Sequence, residues 1–99
     1  MVTKADFITR IKKLPKQIPS KTGTAFYTNF ELTGNHLSFI RVNTKKKWSL
    51  DIETLWEVYS TEKFINTSVV KRLTGGQVNS PSVAILMAIN CIDNAGKRV

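Results

Sequence analysis

Residues 26–59, which read FYTNFELTGNHLSFIRVNTKKKWSLDIETLWEVY, decide the fold of this chain. In residues 26–33 apolar and polar side chains alternate, and this period of two is typical of a half-buried strand. Gly34-Asn35 follows as a two-residue hairpin turn, because glycine adopts positive φ angles at little steric cost. The register then predicts three facing pairs: Leu32 with Leu37, Phe30 with Phe39, and Thr28 with Arg41.

A third strand is predicted after a turn at residues 43–46. Continuing the register places Leu50 opposite Phe39 and Trp48 opposite Arg41, so one apolar face extends over a three-stranded antiparallel meander. The other face of the sheet is then predicted to carry Tyr27, Asn29, Ile40, Val42 and Ser49.

The meander leads directly into a helix. Asp51 is a favourable N-cap, and Leu50 and Leu55 flank it at the positions of a hydrophobic staple. The apolar stripe of this helix has the spacing i, i+3, i+4 and i+7 and consists of Ile52, Leu55, Trp56 and Tyr59. We expect the stripe to fold back over the apolar face of the sheet.

A basic amphipathic helix precedes the meander. Thr3 caps it, Asp6 follows three residues later, and Pro15 ends it. Its apolar stripe consists of Phe7, Ile8, Ile11 and Leu14. Residues 15–25 read as a linker that Ile18 pins to the core.

Two further helices are predicted after the meander. Asn66 or Thr67 caps a short helix that Gly75 ends, although the β-branched residues in this segment leave a strand as the alternative. Ser80 as N-cap and Pro81 as first residue start a helix over residues 81–93. The linker between them, residues 75–79, contains Gly75-Gly76-Gln77, which resembles the GGQ loop of peptide-chain release factors. Because the resemblance covers this segment only, we interpret it as a flexible connection.

The helix at residues 81–93 is apolar around nearly its whole circumference, which is typical of a helix buried on more than one side. A second subunit is one way to cover it, with Leu86 and Ile89 at the interface. The tail, residues 94–99, is expected to be frayed. The chain is therefore predicted to form one α+β domain, residues 1–99, with an N-terminal helix, a three-stranded antiparallel meander, and two or three helices packed mainly on one face of the sheet.

Positive charge is concentrated in the first half of the chain. The 99 residues contain 15 Lys and Arg and 7 Asp and Glu, which gives a net charge of +8. All of this excess lies within residues 1–47, because basic and acidic residues balance in residues 48–99. Such asymmetry indicates a polyanionic partner, and a merely solvating surface is the alternative.

A small basic nucleic-acid-binding or nucleic-acid-associated module is the leading functional prediction. Lysines would neutralise phosphates, Tyr27 would stack on a base, and Arg41 would anchor an anion. The predicted contact residues are Lys12, Lys13, Lys16, Lys21, Tyr27, Arg41, Lys45, Lys46 and Lys47. This prediction requires the lysines to converge on one face. The alternative is a protein-interaction or homodimerising module that exposes Leu86 and Ile89.

Enzymatic activity is not predicted. One histidine and one cysteine fall short of the ligand sets that metal sites need, and no phosphate loop or dinucleotide fingerprint occurs. We therefore expect no catalytic residue, no metal and no cofactor. No run approaches the roughly 18 apolar residues of a membrane span, and the N-terminus lacks a signal-peptide core. With Cys91 alone no internal disulfide forms, and we expect a cytoplasmic protein without a membrane partner.

Overall fold

Four antiparallel strands and four helices form an α+β fold within residues 1–76 and 78–99, the part of the chain that this computed structural model describes. In chain order the elements are α1 (Lys4–Lys12), β1 (Gln17–Pro19), β2 (Phe26–Thr33), β3 (His36–Arg41), β4 (Lys46–Asp51), α2 (Ile52–Thr61), α3 (Thr67–Thr74) and α4 (Asn79–Ala88). The strands lie in the order β1-β2-β3-β4. The predicted meander corresponds to β2, β3 and β4, and β1 is an additional strand.

Strand β1 lies inside the segment that the sequence predicts to be a linker. It pairs with β2 through Gln17 and Thr28, Ile18 and Tyr27, and Pro19 and Phe26. Pro19 is compatible with this position because β1 is an edge strand. Ile18 is buried in the core, which confirms the prediction that it anchors this segment. The segment itself is in part a strand and not only a linker.

A β-bulge at Asn29 changes which side chains of β2 point into the core. Leu32 faces Leu37 as predicted, but the register shifts between Thr28 and Glu31, and Tyr27 then faces Arg41. The predicted pair of Thr28 and Arg41 is therefore wrong. Asn29 has a φ of 57°, and asparagine is one of the few side chains that tolerates this left-handed conformation. The extra residue exchanges the two faces of the strand before it.

The β3–β4 register differs from the prediction by two residues. Leu37 faces Leu50, Phe39 faces Trp48, and Arg41 faces Lys46. The difference arises because the connecting turn spans residues 42–45 and not 43–46. A shift of two preserves the face of every side chain, so Leu50 and Trp48 still lie on the core side.

Local capping signals are confirmed at three helices. The backbone N–H of Asp6 donates to Thr3 Oγ1 at the start of α1, and that of Glu53 donates to Asp51 Oδ1 at the start of α2. Asn66 caps α3 in the same way. Gly75 ends α3 with a φ of 83°, so this segment is a helix and not the alternative strand. Gly75 and Gly76 connect α3 to α4, and Gln77 lies outside the described residues.

Helix α4 is shorter than predicted and is buried within the monomer. It begins at Asn79 and ends at Ala88, because Asn90 adopts a φ of 60° and the N–H of Cys91 donates to the carbonyl oxygen of Leu86. Leu86 and Ile89 are 0% and 5% exposed. The prediction that they form an apolar interface on the monomer surface is therefore wrong: α3, β1 and the end of α1 cover the helix.

The C-terminal tail is held in place rather than frayed. The N–H of Ile65 donates to the carbonyl oxygen of Gly96, and the N–H of Arg98 donates to that of Lys63. The Arg98 guanidinium also donates to the carbonyl oxygen of Ser60 at the end of α2. These bonds close the fold beside α2.

Candidate anion-binding site

The predicted lysines separate into groups at different places in the fold. Lys13 lines a groove with Ile89 and Asn90, at the C-terminal end of α4. Arg41 lines a cavity with Asn79 and Ser80, at the N-terminal end of the same helix. The ten residues of α4 span about 15 Å. Lys12 and Lys13 therefore do not converge with the residues around Arg41, contrary to the prediction.

The three consecutive lysines at the β3–β4 turn also diverge. Lys45 lies in the turn, and Lys46 and Lys47 begin β4, where successive side chains point to opposite faces of the sheet. Lys46 faces Arg41 across the strands, whereas Lys47 faces Ile40 on the outer face. The structure thus brings Lys46 to Arg41 and places Lys47 away from it. Lys16 is exposed immediately before β1.

A cavity of about 250 Å³, here called the Arg41 pocket, lies at the end of the sheet where the 20–25 loop meets the start of α4. Its polar lining includes Ser20, Thr22, Thr24, Tyr27, Arg41 and Ser80. Among the described residues, no carboxylate lines it. The pocket therefore combines a guanidinium group with hydroxyl donors, which suits an anion.

Arg41 is held on the core side of the sheet, between Tyr27 on β2 and Lys46 on β4. Its Nε is shielded from water and has no hydrogen-bond partner among the described residues. The ion pairs of the described residues join Lys4 to Glu53, Arg10 to Asp6, and Arg72 to Glu62. None of them includes Arg41, so its charge is left for another partner.

The 20–25 loop presents its hydroxyl groups in a fixed chain. Ser20 Oγ lies 3.3 Å from Thr22 Oγ1, which lies 2.8 Å from Thr24 Oγ1. The N–H of Ala25 donates to Ser20 Oγ, which anchors one end of the chain. Asn43 ties the loop to the β3–β4 turn, because its Nδ2 donates to the carbonyl oxygen of Thr24. The hydroxyl groups are thus preorganised beside the turn.

Tyr27 does not have the exposed position that base stacking requires. It is 2% exposed, and its ring packs edge-on against Phe39 with the ring centroids 5.7 Å apart. Burial raises the pKa of the Tyr27 phenol, and the positive charge of Arg41 only partly opposes this effect. Tyr27 therefore stays neutral at neutral pH and forms part of the pocket wall.

The bulge that turns Tyr27 inward turns Phe26 outward. Phe26 is 38% exposed, and neighbouring Val42, whose N–H donates to the carbonyl oxygen of Phe26, is 41% exposed. The exposed aromatic side chain at this end of the sheet is thus one residue before the predicted one. Only the left-handed tendency of Asn29 signals this exchange in the sequence.

A second cavity continues the Arg41 pocket along the surface. It shares Ser20, Thr22 and Ser80 with that pocket and adds Lys21 and Thr67. Lys21, a predicted site residue, therefore lies in the same groove as Arg41. The hydroxyl residues were missed as site residues because the loop and the start of α4 meet only in the folded chain. The clustering of hydroxyl side chains in residues 20–24 was the available signal.

The two ends of the sheet differ in charge. The 20–25 loop carries Lys21, the β3–β4 turn carries Lys45, and β4 begins with Lys46. The opposite end, at the Gly34-Asn35 turn, adjoins the start of α2, where the N–H of Ile52 donates to the carbonyl oxygen of Asn35. Acidic residues occur at that end: Glu31, Asp51 and Glu53. An anion is therefore favoured at the Arg41 end.

Within the described residues, no helix is long and apolar enough to cross a bilayer. Histidine, cysteine and carboxylate side chains of the same residues do not cluster in threes as metal ligands would. Comparison of the chain with known proteins finds no matching family model, no similar protein of curated function and no similar solved structure.

Proposed function

We propose that the protein is a non-enzymatic nucleic-acid-binding module whose contact surface is the end of the sheet around Arg41. The observation that carries this proposal is the Arg41 guanidinium, which has no ion-pair partner among the described residues and lines a pocket that none of their carboxylates line. Lys46 is the cross-strand neighbour of Arg41 on β4. Two like charges held side by side favour an anion between them.

The surrounding lysines extend this positive surface. Lys21, Lys45 and Lys46 are exposed, so they are free to neutralise phosphates and release counterions. Lys12 and Lys13 lie at the other end of α4 and do not belong to this surface. The centre of the proposed site is therefore smaller than the whole basic half of the chain.

Phe26 gives the same end of the sheet an accessible aromatic ring. In proteins that bind single strands, exposed aromatic rings stack on bases. Replacing such a ring with alanine weakens binding by about 1–3 kcal/mol per base. Phe26 lies beside the β3–β4 turn, since its carbonyl oxygen accepts from Val42. This arrangement favours single-stranded over double-stranded nucleic acid, because paired bases do not expose their faces.

Fluorescence anisotropy with labelled single- and double-stranded DNA and RNA, at about 50 and 200 mM salt, tests the proposal. The informative variant is Lys45→Glu/Lys46→Glu. Its matched control, Lys12→Glu/Lys13→Glu, changes the net charge equally at the other end of α4. We expect binding that weakens steeply with salt and is lost in the first variant but largely kept in the second.

Two results would overturn the proposal. Absence of binding at low salt would mean that the positively charged side chains only interact with water and do not bind nucleic acid. Equal losses in the two charge-reversed variants would mean that net charge, and not the Arg41 end of the sheet, attracts the nucleic acid. The alternative of a homodimer through α4 is not retained, because Leu86 and Ile89 are buried in the monomer.

A further inference from the structure

The size of the Arg41 pocket limits what enters it. Its volume of about 250 Å³ lies below the roughly 300–1,000 Å³ of pockets that enclose a drug-sized ligand. A single chemical group of a larger molecule therefore fits better than a whole ligand. For a nucleic acid, that group is either one base or one phosphate.

The aromatic rings of the pocket wall are not free to stack on a base. The ring of Tyr27 packs against Phe39. Lys46 Nζ lies 6.0 Å from the ring centroid of Trp48 and covers one of its faces. Base stacking at this point would require displacement of these contacts, whereas phosphate binding leaves them in place.

In the hydroxyl chain of the 20–25 loop, one hydroxyl hydrogen is not used in the hydrogen bonds within the chain. Its three hydroxyl groups, on Ser20, Thr22 and Thr24, contain three hydrogens but form two bonds with one another. One of the three O–H groups is therefore left to donate to an acceptor. Ser80 supplies another hydroxyl from the first turn of α4.

Charge and donor number favour a phosphomonoester over an internal phosphodiester. A phosphomonoester carries a charge of about −1.5 to −2 and three strong acceptor oxygens, whereas a diester carries one charge and two free oxygens. Arg41 lines the pocket, and its cross-strand neighbour Lys46 lies beside it, with Nζ over the ring of Trp48 in the pocket wall, so two positive charges are close to the site. The planar fork of Arg41 also suits a phosphate, because it donates two parallel hydrogen bonds.

The start of α4 adds to this preference. Val78, at the N-cap position, makes no side-chain capping bond, and Ser80 in the first turn lines the pocket. Pro81 has no N–H, and the N–H of Ser82 donates to the carbonyl oxygen of Val78. The N–H groups of Asn79 and Ser80 are therefore those of the first turn whose partial positive charge favours an anion.

We infer that the Arg41 pocket binds a phosphomonoester, so that the protein holds its nucleic acid by a phosphorylated strand end. The inference rests on the proposed function and specifies its ligand. Arg41 anchors the phosphate, Lys46 balances its second charge, and the groove past Ser80 towards Lys21 receives the following part of the strand.

Isothermal titration calorimetry tests this inference without a label that would block a strand end. The ligands are one short single strand with a 5′-phosphate, the same strand with a 3′-phosphate, and the same strand with hydroxyl groups at both ends. We expect one of the phosphorylated strands to bind roughly tenfold more tightly than the unphosphorylated strand, as a charge-assisted hydrogen bond predicts. Inorganic phosphate should compete more strongly than chloride at equal ionic strength.

The variant Arg41→Gln should lose this preference, and Arg41→Lys should keep only part of it. Lys13→Gln, which removes one charge at the far end of α4, should retain it. If Arg41→Gln does not fold, Ser80→Ala serves instead, because Ser80 is exposed and its hydroxyl lines the pocket; its preference for the phosphorylated strand should fall.

The outcomes separate this inference from the proposed function. Equal affinity for all three strands would overturn the phosphomonoester site and leave nucleic-acid binding intact. A mononucleotide that binds as tightly as the phosphorylated strand would assign the pocket to free nucleotides and overturn the strand-end assignment. Direct binding of inorganic phosphate in the calorimeter, without binding of any strand, would keep the phosphate pocket and overturn the proposed function.

Discussion

Tyr27 on β2 lies directly opposite Arg41 on β3. This pairing arises because Asn29, in the left-handed conformation, shifts the β2–β3 register between Thr28 and Glu31. Without this shift, Tyr27 would point to the outer face and Arg41 would face Thr28. One asparagine thus determines both the wall of the Arg41 pocket and the exposure of Phe26.

The bulge makes Asn29 a sensitive position. A β-branched side chain is strained at a φ of 57°, so Asn29→Val should lower the free energy of unfolding by about 1–2 kcal/mol. Glycine adopts this conformation readily, and Asn29→Gly should stay within about 1 kcal/mol of the wild type. Urea unfolding measures both. Equal stability of the two variants would show that the left-handed conformation does not constrain β2.

Gly96 provides a test of the packed tail. A Cβ atom at this position would lie 2.4 Å from the carbonyl oxygen of Ile65, whereas one at Gly75 meets nothing within 4 Å. Both glycines have positive φ angles, so Gly75→Ala serves as the control for backbone strain alone. We expect a loss of about 1–2 kcal/mol at Gly75 and a clearly larger loss at Gly96. Similar losses in thermal unfolding would mean that the tail does not pack on Ile65.

The features that the sequence predicts correctly depend on nearby residues. Thr3, Asp51 and Asn66 each accept a hydrogen bond from an N–H two or three positions later. Such caps form wherever the local chain permits them, so their signal lies within a few residues. The same reasoning explains why Gly75 was identified as the end of α3.

The features that it misses depend on distant residues. Strand β1 has three residues and includes Pro19, so only its pairing with β2 makes it a strand. The apolar circumference of α4 predicts an interface, because the neighbours that cover the helix in the fold are not visible in the sequence. The bulge at Asn29 interrupts an alternation that is unbroken in the sequence of residues 26–33.

The candidate site shows the same division. Arg41, Lys46 and Lys21 are predicted from charge. Arg41 and Lys21 line two adjoining cavities, and Lys46 is the cross-strand neighbour of Arg41. The hydroxyl lining was not predicted, because Ser80 and the 20–25 loop meet only when α4 packs beside β1. Charge identifies candidate residues, but tertiary packing decides which of them share a site.

The buried phenol of Tyr27 predicts a loss of stability in alkali. Burial raises its pKa above the ordinary value of 10.0, so the fold favours the protonated phenol over the phenolate. This contribution is fully present below pH 10.0 and is lost as the pH rises through the higher pKa of the folded state. The free energy of unfolding should therefore fall at alkaline pH, and less steeply in Tyr27→Phe. Identical pH profiles from urea unfolding of the two proteins would contradict burial of the phenol.

The exposed ring of Phe26 predicts a selective loss of single-strand binding. If the ring stacks on a base, Phe26→Ala should weaken single-stranded binding by about 1–3 kcal/mol and leave double-stranded binding nearly unchanged. Phe64→Ala is the matched control, because Phe64 is 61% exposed and lies beside the C-terminal tail, where it pairs with Lys97. Anisotropy titrations at low salt compare the variants. If Phe26→Ala weakens single-strand and double-strand binding equally, Phe26 maintains the conformation of the β3–β4 turn and does not stack on a base. A stacking ring would affect only single-strand binding, because paired bases do not expose their faces.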